Sequence, residues 1–314
     1  MLTRRHIRVK VMQSIYALIQ SKNTDMQKEE KFLTVSMENM YNLYVTLLNL
    51  IIAVQKLAED QLLISQKKYL ATEAEKNPNK KFINNEILQY LKENTLLQNI
   101  TKERRLTDWD LEEDYVKLIY KEILESPVYE EYMKTEKSSF AEDKDLIIEI
   151  FKTIIAPNDK LYEYIEDNRL TWVDDLPLVN TLILKIFKKL KPEPPENYFT
   201  PKLFKDMDDK EFSRNLFRKT ILNDEKFQEE IIGKTPNWDA ERITEIDSIL
   251  LKMAICEFHK FPSIPVKVTI NEYLEIAKEY STPKSSIFIN GVLDKLVKDY
   301  TTNNSLNKSG RGLM

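Results

Sequence analysis

Between residues 243 and 296 the apolar side chains fall three and four apart in three consecutive runs, a spacing that predicts amphipathic helices. The first run carries Ile243, Ile246, Ile249, Leu250, Met253 and Phe258, the second Ile270, Tyr273, Leu274 and Ala277, and the third Phe288, Val292 and Leu296. Pro262 and Pro265 interrupt the first two, because proline has no amide donor and pushes its predecessor out of the helical region. Thr282 and Pro283 predict the start of the third, with the threonine as N-cap and the proline at the first helical position. Three short helices on tight joints predict a compact bundle.

The rest of the chain extends the same expectation. Only 4 glycines in 314 residues, with 42% hydrophobic and 31% charged content, favour long solvated helices and an all-α class. Cys256 is the sole cysteine, which excludes a disulfide framework or a thiolate metal cluster and fits a reducing cytoplasm. The longest apolar run, 43–54, is broken by Thr46 and Asn49 and falls short of the ~20 residues of a membrane span. Gln13, Ser14 and Gln20 break any apolar signal core near the N-terminus, so a soluble cytoplasmic protein without membrane partners is expected.

The net charge is −4, but Arg4, Arg5, Arg8 and Lys10 fall within the first ten residues with no acid among them. Ile7, Val11, Ile15 and Leu18 form one stripe, which predicts a first helix over 4–20 with those cations on its opening turns. A helix N-terminus is already positive and prefers acids by ~0.3–1 kcal/mol each, so the arrangement calls for a counter-charge. A polyanion is one candidate, because helix-start amides and arginine forks both suit phosphate oxygens. A basic leader without a fixed fold is the other.

Residues 22–30 are polar and read as a loop, followed by a long helical pattern over 32–70 and shorter ones over 82–98, 107–125 and 141–155. Phe151, Ile155, Ile165 and Trp172 recur in the same order and spacing as Phe217, Ile221, Ile231 and Trp238, either a partial duplication or a generic hairpin pattern. Pro192, Pro194 and Pro195 mark an internal boundary.

Over residues 237–294 the pattern becomes specific: Trp238, Arg242, Asp247, Leu250 and Glu257, then Val268, Asn271, Glu272, Glu275, Ala277 and Lys278, then Phe288 to Asp294 with Asn290 and Gly291. This order closely resembles the C-terminal half of the NusB family, all-helical bacterial proteins of transcription antitermination. The sequence 208–232 resembles that family's last helix before its C-terminal bundle, and Arg4, Arg5, Arg8, Gln13 and Tyr16 resemble its arginine-rich, RNA-contacting first helix. The resemblance implies an RNA-binding domain of NusB-like helical bundles from residues 1–21 and 201–300, a helical insertion over 22–200, and a disordered tail over 301–314. It further implies RNA contacts at Arg4, Arg5, Arg8, Lys10, Gln13, Tyr16, Lys284, Ser285 and Phe288, and a protein-partner contact at Glu257. The expected partners are a boxA-like single-stranded RNA of ribosomal RNA leaders, the ribosomal protein NusE and the RNA polymerase elongation complex.

Enzymatic chemistry finds little support. His6 and His259 are far apart, and Cys256 near His259 reads as a buried thiol before it reads as a dyad. Gly233, Gly291, Gly310 and Gly312 draw no phosphate-cradling loop, and no cofactor is implied. Asp174 and Asp175 read as a helix start, and Asn290 as a helix-packing hydrogen bond. Gly291, inside a helical pattern, predicts close approach of another helix. Arg242 and Asp247 are either a buried pair or exposed charges, and Phe288 either core or a stacking surface. Two alternatives remain: a non-catalytic helical protein-interaction scaffold, and an accessory domain related to ribosomal RNA methyltransferases.

Overall fold

A computed structural model of the chain describes residues 1–22, 25–69, 72–234 and 243–313. The fold is all-α. Its helices are α1 (Arg4–Gln20), α2 (Met26–Gln66), α3 (Glu73–Lys76), α4 (Glu86–Glu93), α5 (Thr95–Arg104), α6 (Asp108–Leu111), α7 (Glu113–Leu124), α8 (Pro127–Met133) and α9 (Phe140–Ile150). A π-helical turn, Phe151–Ile155, extends α9, and α10 (Asp159–Asn168), α11 (Leu170–Val173) and α12 (Leu176–Lys189) follow. The C-terminal set is α13 (Met207–Leu222), α14 (Asp224–Ile232), α15 (Glu245–Lys260), α16 (Val266–Tyr280) and α17 (Ser285–Thr302). No helix is long and apolar enough to cross a membrane among the described residues.

The chain forms two compact units, Met1–Met37 with Leu203–Met314, and Glu38–Lys202. The expected insertion boundary at residue 22 therefore moves to 38, inside α2, and much of the expected loop over 22–30 is helix. The reason is local: Asp25 Oδ1 accepts from the Gln27 and Lys28 amides at 3.1 and 3.0 Å, starting α2. Leu33 and Met37 of its first turns are buried, and Glu30 pairs with Arg214 and Arg218 of α13.

In the first unit α15 is the central rod and packs against α1, α13, α14, α16 and α17. Ile249, Leu250, Leu251, Met253, Ala254, Ile255, Cys256 and Phe258 are all fully buried. The spacing predicts one apolar stripe; the structure buries nearly the whole circumference, as befits a helix surrounded by others. Lys252 escapes by running its stem along the core and placing its ammonium 2.7 Å from Asp224. The expected close approach at Gly291 is not found: a Cβ there would meet nothing within 4 Å. Thr282 and Pro283 lie one turn ahead of the helix start, which falls at Ser285, with Lys284 at the N-cap.

The expected disordered tail is corrected as well. α17 ends at Thr302, and the chain continues to an ordered 3-10 turn, Gly310–Leu313. Lys308 Nζ fixes it by donating to the carbonyls of Glu257 and Phe261 at 3.0 and 3.1 Å. Polar composition predicts disorder, but the Lys308 ammonium adds a charged donor to the C-terminal carbonyls of α15, where a cation is favoured.

The second unit builds its core around α9, which packs against α4, α8 and α12. A buried polar knot holds it: Tyr132 Oη donates to Asp143 Oδ1 at 2.5 Å, and Lys81 Nζ donates to the Tyr132 carbonyl at 2.7 Å. The repeated residues occupy matching places in two helical series. Phe151, Ile155 and Ile165 lie on α9 with its π turn and on α10, and Phe217, Ile221 and Ile231 lie on α13 and α14. Trp238, the last of the repeat, lies outside the described residues, as does Arg242.

Candidate nucleic-acid interface

The N-terminal cations acquire their geometry from the way α1 begins. Thr3 caps the helix: its Oγ1 accepts from the His6 amide at 3.4 Å, and its own amide donates to His6 Nδ1 at 3.2 Å. This is a capping box with histidine in the place usually held by Glu or Gln. The Leu2 amide donates to the Leu203 carbonyl at 2.8 Å, which ties the entry of α1 to the start of the C-terminal set. With the first turn so fixed, Arg8 follows Arg4 and Arg5 by four and three residues, one turn on, and points inward while they stay half-exposed.

Each of the three arginines meets a carboxylate. Arg4 Nε donates to Asp209 Oδ1 of α13 at 2.9 Å. Arg5 forms a fork on Glu272 of α16, Nε to Oε2 at 3.0 Å and Nη2 to Oε1 at 2.9 Å. Arg8, only 2% exposed, forms a second fork on the fully buried Glu257 of α15, at 2.6 and 2.9 Å. Glu257 also accepts from Thr269 Oγ1 at 3.0 Å and Tyr273 Oη at 2.8 Å, so both carboxylate oxygens are saturated. The Arg8 guanidinium lies over the rings of Phe212 and Tyr273, 5.2 and 5.8 Å from their centroids. Burial works against its charge, but the Glu257 carboxylate, its hydrogen bond and Glu272 outweigh that and hold Arg8 above its ordinary pKa. The Arg5 hydrogen bond holds the Glu272 carboxyl below the ordinary carboxylate value.

Above these pairs opens a cleft of about 650 Å³, lined by Arg4, Arg5, His6 and, at its floor, the buried Arg8, by the turn Ser263–Pro265, by Val268 and Glu272 of α16, and by Arg311. Arg4 and Arg5 are 42% exposed at its rim, and each keeps guanidinium donors that its carboxylate does not engage.

Several expected contacts are relocated. Arg8 and Glu257 do not face solvent; they are each other's buried partners, so neither can serve as a phosphate contact or as a protein-partner contact without unpacking α1. Lys10 is 4% exposed and buried along the same helix. Ser285 is buried and donates to Asp247 Oδ2 at 2.8 Å, and Phe288 is buried core, which decides between its two readings. Asp247 is likewise buried, held by Ser281 and Ser285. Gln13 is half-buried, while Tyr16, at 40% exposure, and Lys284 stay accessible. Lys284, Ser285 and Phe288 stand outside the cleft lining. Asp209, Phe212 and Tyr273 escape the sequence reading as site residues; the uncompensated cations at a helix start signal that acids are needed, but not which ones.

Cys256 is fully buried, and burial pushes its thiol up to about 12, so it is no ready nucleophile. His6 is a second titratable group at the cleft besides Glu272. Burial, then Arg5 and the N-terminal ammonium, pull it from 6.5 down to about 4, against an opposing pull from Glu272. A neutral ring also suits the cap, because Nδ1 must accept the Thr3 amide. A folded pKa below the unfolded one means stability present above 6.5 and lost as pH falls through about 4. The first unit is expected to lose about 1–2 kcal/mol over that interval, discounted because the ring is partly solvated. His6→Gln, which keeps the capping box, should flatten the slope in urea titrations at pH 7 and pH 4.5; an unchanged slope would rule out His6 as its source.

Comparison with known proteins places this architecture. The NusB family model matches residues 189–298. A transcription antitermination protein NusB of Salinibacter ruber is 44% identical over 112 residues, 36% of this chain and 70% of that protein. The chain belongs to the NusB family. Proteins with the same designation from Chloroherpeton thalassium and Clostridium kluyveri are 39% and 44% identical over 109 and 77 residues. Those matches span 35% and 24% of this chain and 52% and 49% of the relatives, about half of each. No solved structure matches. The NusB-family match covers α13 to most of α17 and with them Asp209, Glu257 and Glu272, the acids that receive the arginines; α1 and Arg311 lie outside it.

Proposed function

We propose that this NusB-family chain is a non-catalytic transcription antitermination factor. Its α1 cleft would bind a boxA-like single-stranded RNA of ribosomal RNA leaders, together with ribosomal protein NusE, for recruitment to the RNA polymerase elongation complex. The observation that carries the reading is the fixed arginine pair at the cleft rim. Arg4 and Arg5 are each held on one edge by a carboxylate and open to solvent on the other, a pre-oriented fork for phosphate oxygens. The designation of the relatives supports the biological role. Phosphate contacts set affinity and position, and exposed bases supply preference. Tyr16 on α1 offers an accessible ring, and stacking contributes ~1–3 kcal/mol per base.

Arg4→Ala combined with Arg5→Ala is expected to weaken binding of a labelled boxA-like oligonucleotide about tenfold or more, and to make the salt dependence shallower by about 0.7 for each phosphate no longer neutralised. Fluorescence anisotropy at two salt concentrations, with and without NusE, measures both. Affinity and salt slope identical to those of the parent protein would reject the cleft as the RNA surface and favour the scaffold alternative. Arg8 is left out of the variant because its loss acts on folding.

A further inference from the structure

The C-terminal strap brings a fourth arginine to the cleft, and its anchoring is specific. After α17 the Ser305 amide donates to the Tyr300 carbonyl at 2.9 Å and the chain doubles back. Lys308 Nζ then caps the C-terminal end of α15, where a cation complements the helix dipole. Burial lowers its pKa, as expected of an amine docked against protein. The Ser309 amide donates to the Pro262 carbonyl at 3.1 Å, and Gly310 takes φ +55° to enter the closing turn. Gly312 is buried so tightly that an added Cβ would lie 1.9 Å from the Pro262 carbonyl oxygen. This close approach fixes the turn against residues 261–265 and aims Arg311 into the cleft beside Arg4 and Arg5.

Charge distinguishes Arg311 from its neighbours. Arg4, Arg5 and Arg8 are matched by Asp209, Glu272 and Glu257, so within the protein their charges are largely answered. Arg311 is exposed and has no carboxylate partner among the described residues. In a cleft of otherwise paired charges an unneutralised guanidinium supplies the attraction for an incoming anion.

We infer that Arg311, presented by the strap over 303–313, grips a phosphate of the bound strand, and that docking of the strap at Gly312 is a condition of tight binding. The inference rests on the reading of the cleft as an RNA site, and the test separates the two. The full-length chain is titrated against a labelled boxA-like single-stranded RNA at about 50 and about 200 mM salt. Arg311→Ala is expected to weaken binding about fivefold to tenfold and make the salt slope shallower by about 0.7, with an unchanged urea midpoint. Arg311→Lys should keep the slope, and Gly312→Ala should bind as poorly as Arg311→Ala. If the Arg4 and Arg5 double variant is weakened while Arg311→Ala binds like the parent, the inference fails and the cleft reading stands. Should Gly312→Ala bind like the parent, strap docking is overturned as a requirement. If no variant is weakened, the cleft reading itself fails and takes the inference with it.

Discussion

Arg8→Ala is expected to cost the first unit about 3–5 kcal/mol, the usual penalty for removing one partner of a buried ion pair. Glu257, fully buried, would lose the fork that answers it, retaining only the hydroxyls of Thr269 and Tyr273. Glu257→Ala should cost about as much by stranding the guanidinium between the rings of Phe212 and Tyr273. The half-exposed Arg5–Glu272 fork is worth far less, about 0.2–1 kcal/mol, because water screens it. Replacing both buried partners, Arg8→Met with Glu257→Leu, should recover a good part of the loss, although Thr269 and Tyr273 would then lack their acceptor. Urea unfolding gives the size of each effect. Hydrogen exchange gives its place: the amides of α1, α15 and α16 should lose protection well beyond those of 38–202. A shift under about 1 kcal/mol for Arg8→Ala would mean that the pair is solvated, contrary to its burial under α1.

That outcome bears on what an RNA experiment can show. Among the cations of α1, Arg8 holds the helix against α15, and Arg4 and Arg5 face the cleft. Loss of RNA binding in an Arg8 variant would report a displaced helix, whereas Arg4 and Arg5 can be changed with small expected effects on folding. The division of labour follows from depth: Arg8 is one turn into the helix, over the core, and the other two lie at its solvent-facing start.

The helices are legible in the chain because their information is local. Spacing of three and four gives α1 its full extent and places α15, α16 and α17, and Asn94 serves as the C-cap of α4 and the N-cap of α5, its Oδ1 accepting from the Leu97 amide three residues on. The partners of the arginines are not legible in the same way. Arg4, Arg5 and Arg8 find their acids 205, 267 and 249 residues downstream, and no local pattern carries such a pairing. A stretch of cations without nearby acids therefore reads as free positive charge. Glu257 and Glu272 stand within the motif that marks the family, but a motif names positions and not the direction in which a side chain points. The tail misleads for a related reason: Lys308 and Gly312 are polar and small, and only the end of α15 and the Pro262 carbonyl make order favourable there.

Asp247→Ala should be the next most damaging change, at about 2–4 kcal/mol, because it removes the buried acceptor of a hydroxyl network. Asp247 accepts from Ser281 Oγ at 2.7 Å and from Ser285 Oγ at 2.8 Å, and the two serines lie 2.9 Å apart. Thr244, the N-cap of α15, accepts from the Asp247 amide at 3.1 Å and lies 3.2 Å from Ser281 Oγ; Thr282 completes the cluster 2.8 Å from Ser285. The cluster thus joins the start of α15 to the turn between α16 and α17, and that turn carries Lys284. Hydrogen bonds to an ionised acceptor each contribute about 1.5–3 kcal/mol, so removing the carboxylate from the buried Ser285 and the half-buried Ser281 together costs more than removing one serine. Ser285→Ala should cost about 1–2 kcal/mol, since Asp247 keeps Ser281. Asp247→Asn should fall between the two, because the amide can still accept but not as a charge. Urea midpoints at neutral pH order the three variants. The order Asp247→Ala, then Asp247→Asn, then Ser285→Ala is what a charged acceptor shared by two serines requires, and a Ser285→Ala loss equal to that of Asp247→Ala would instead place the weight on the serine.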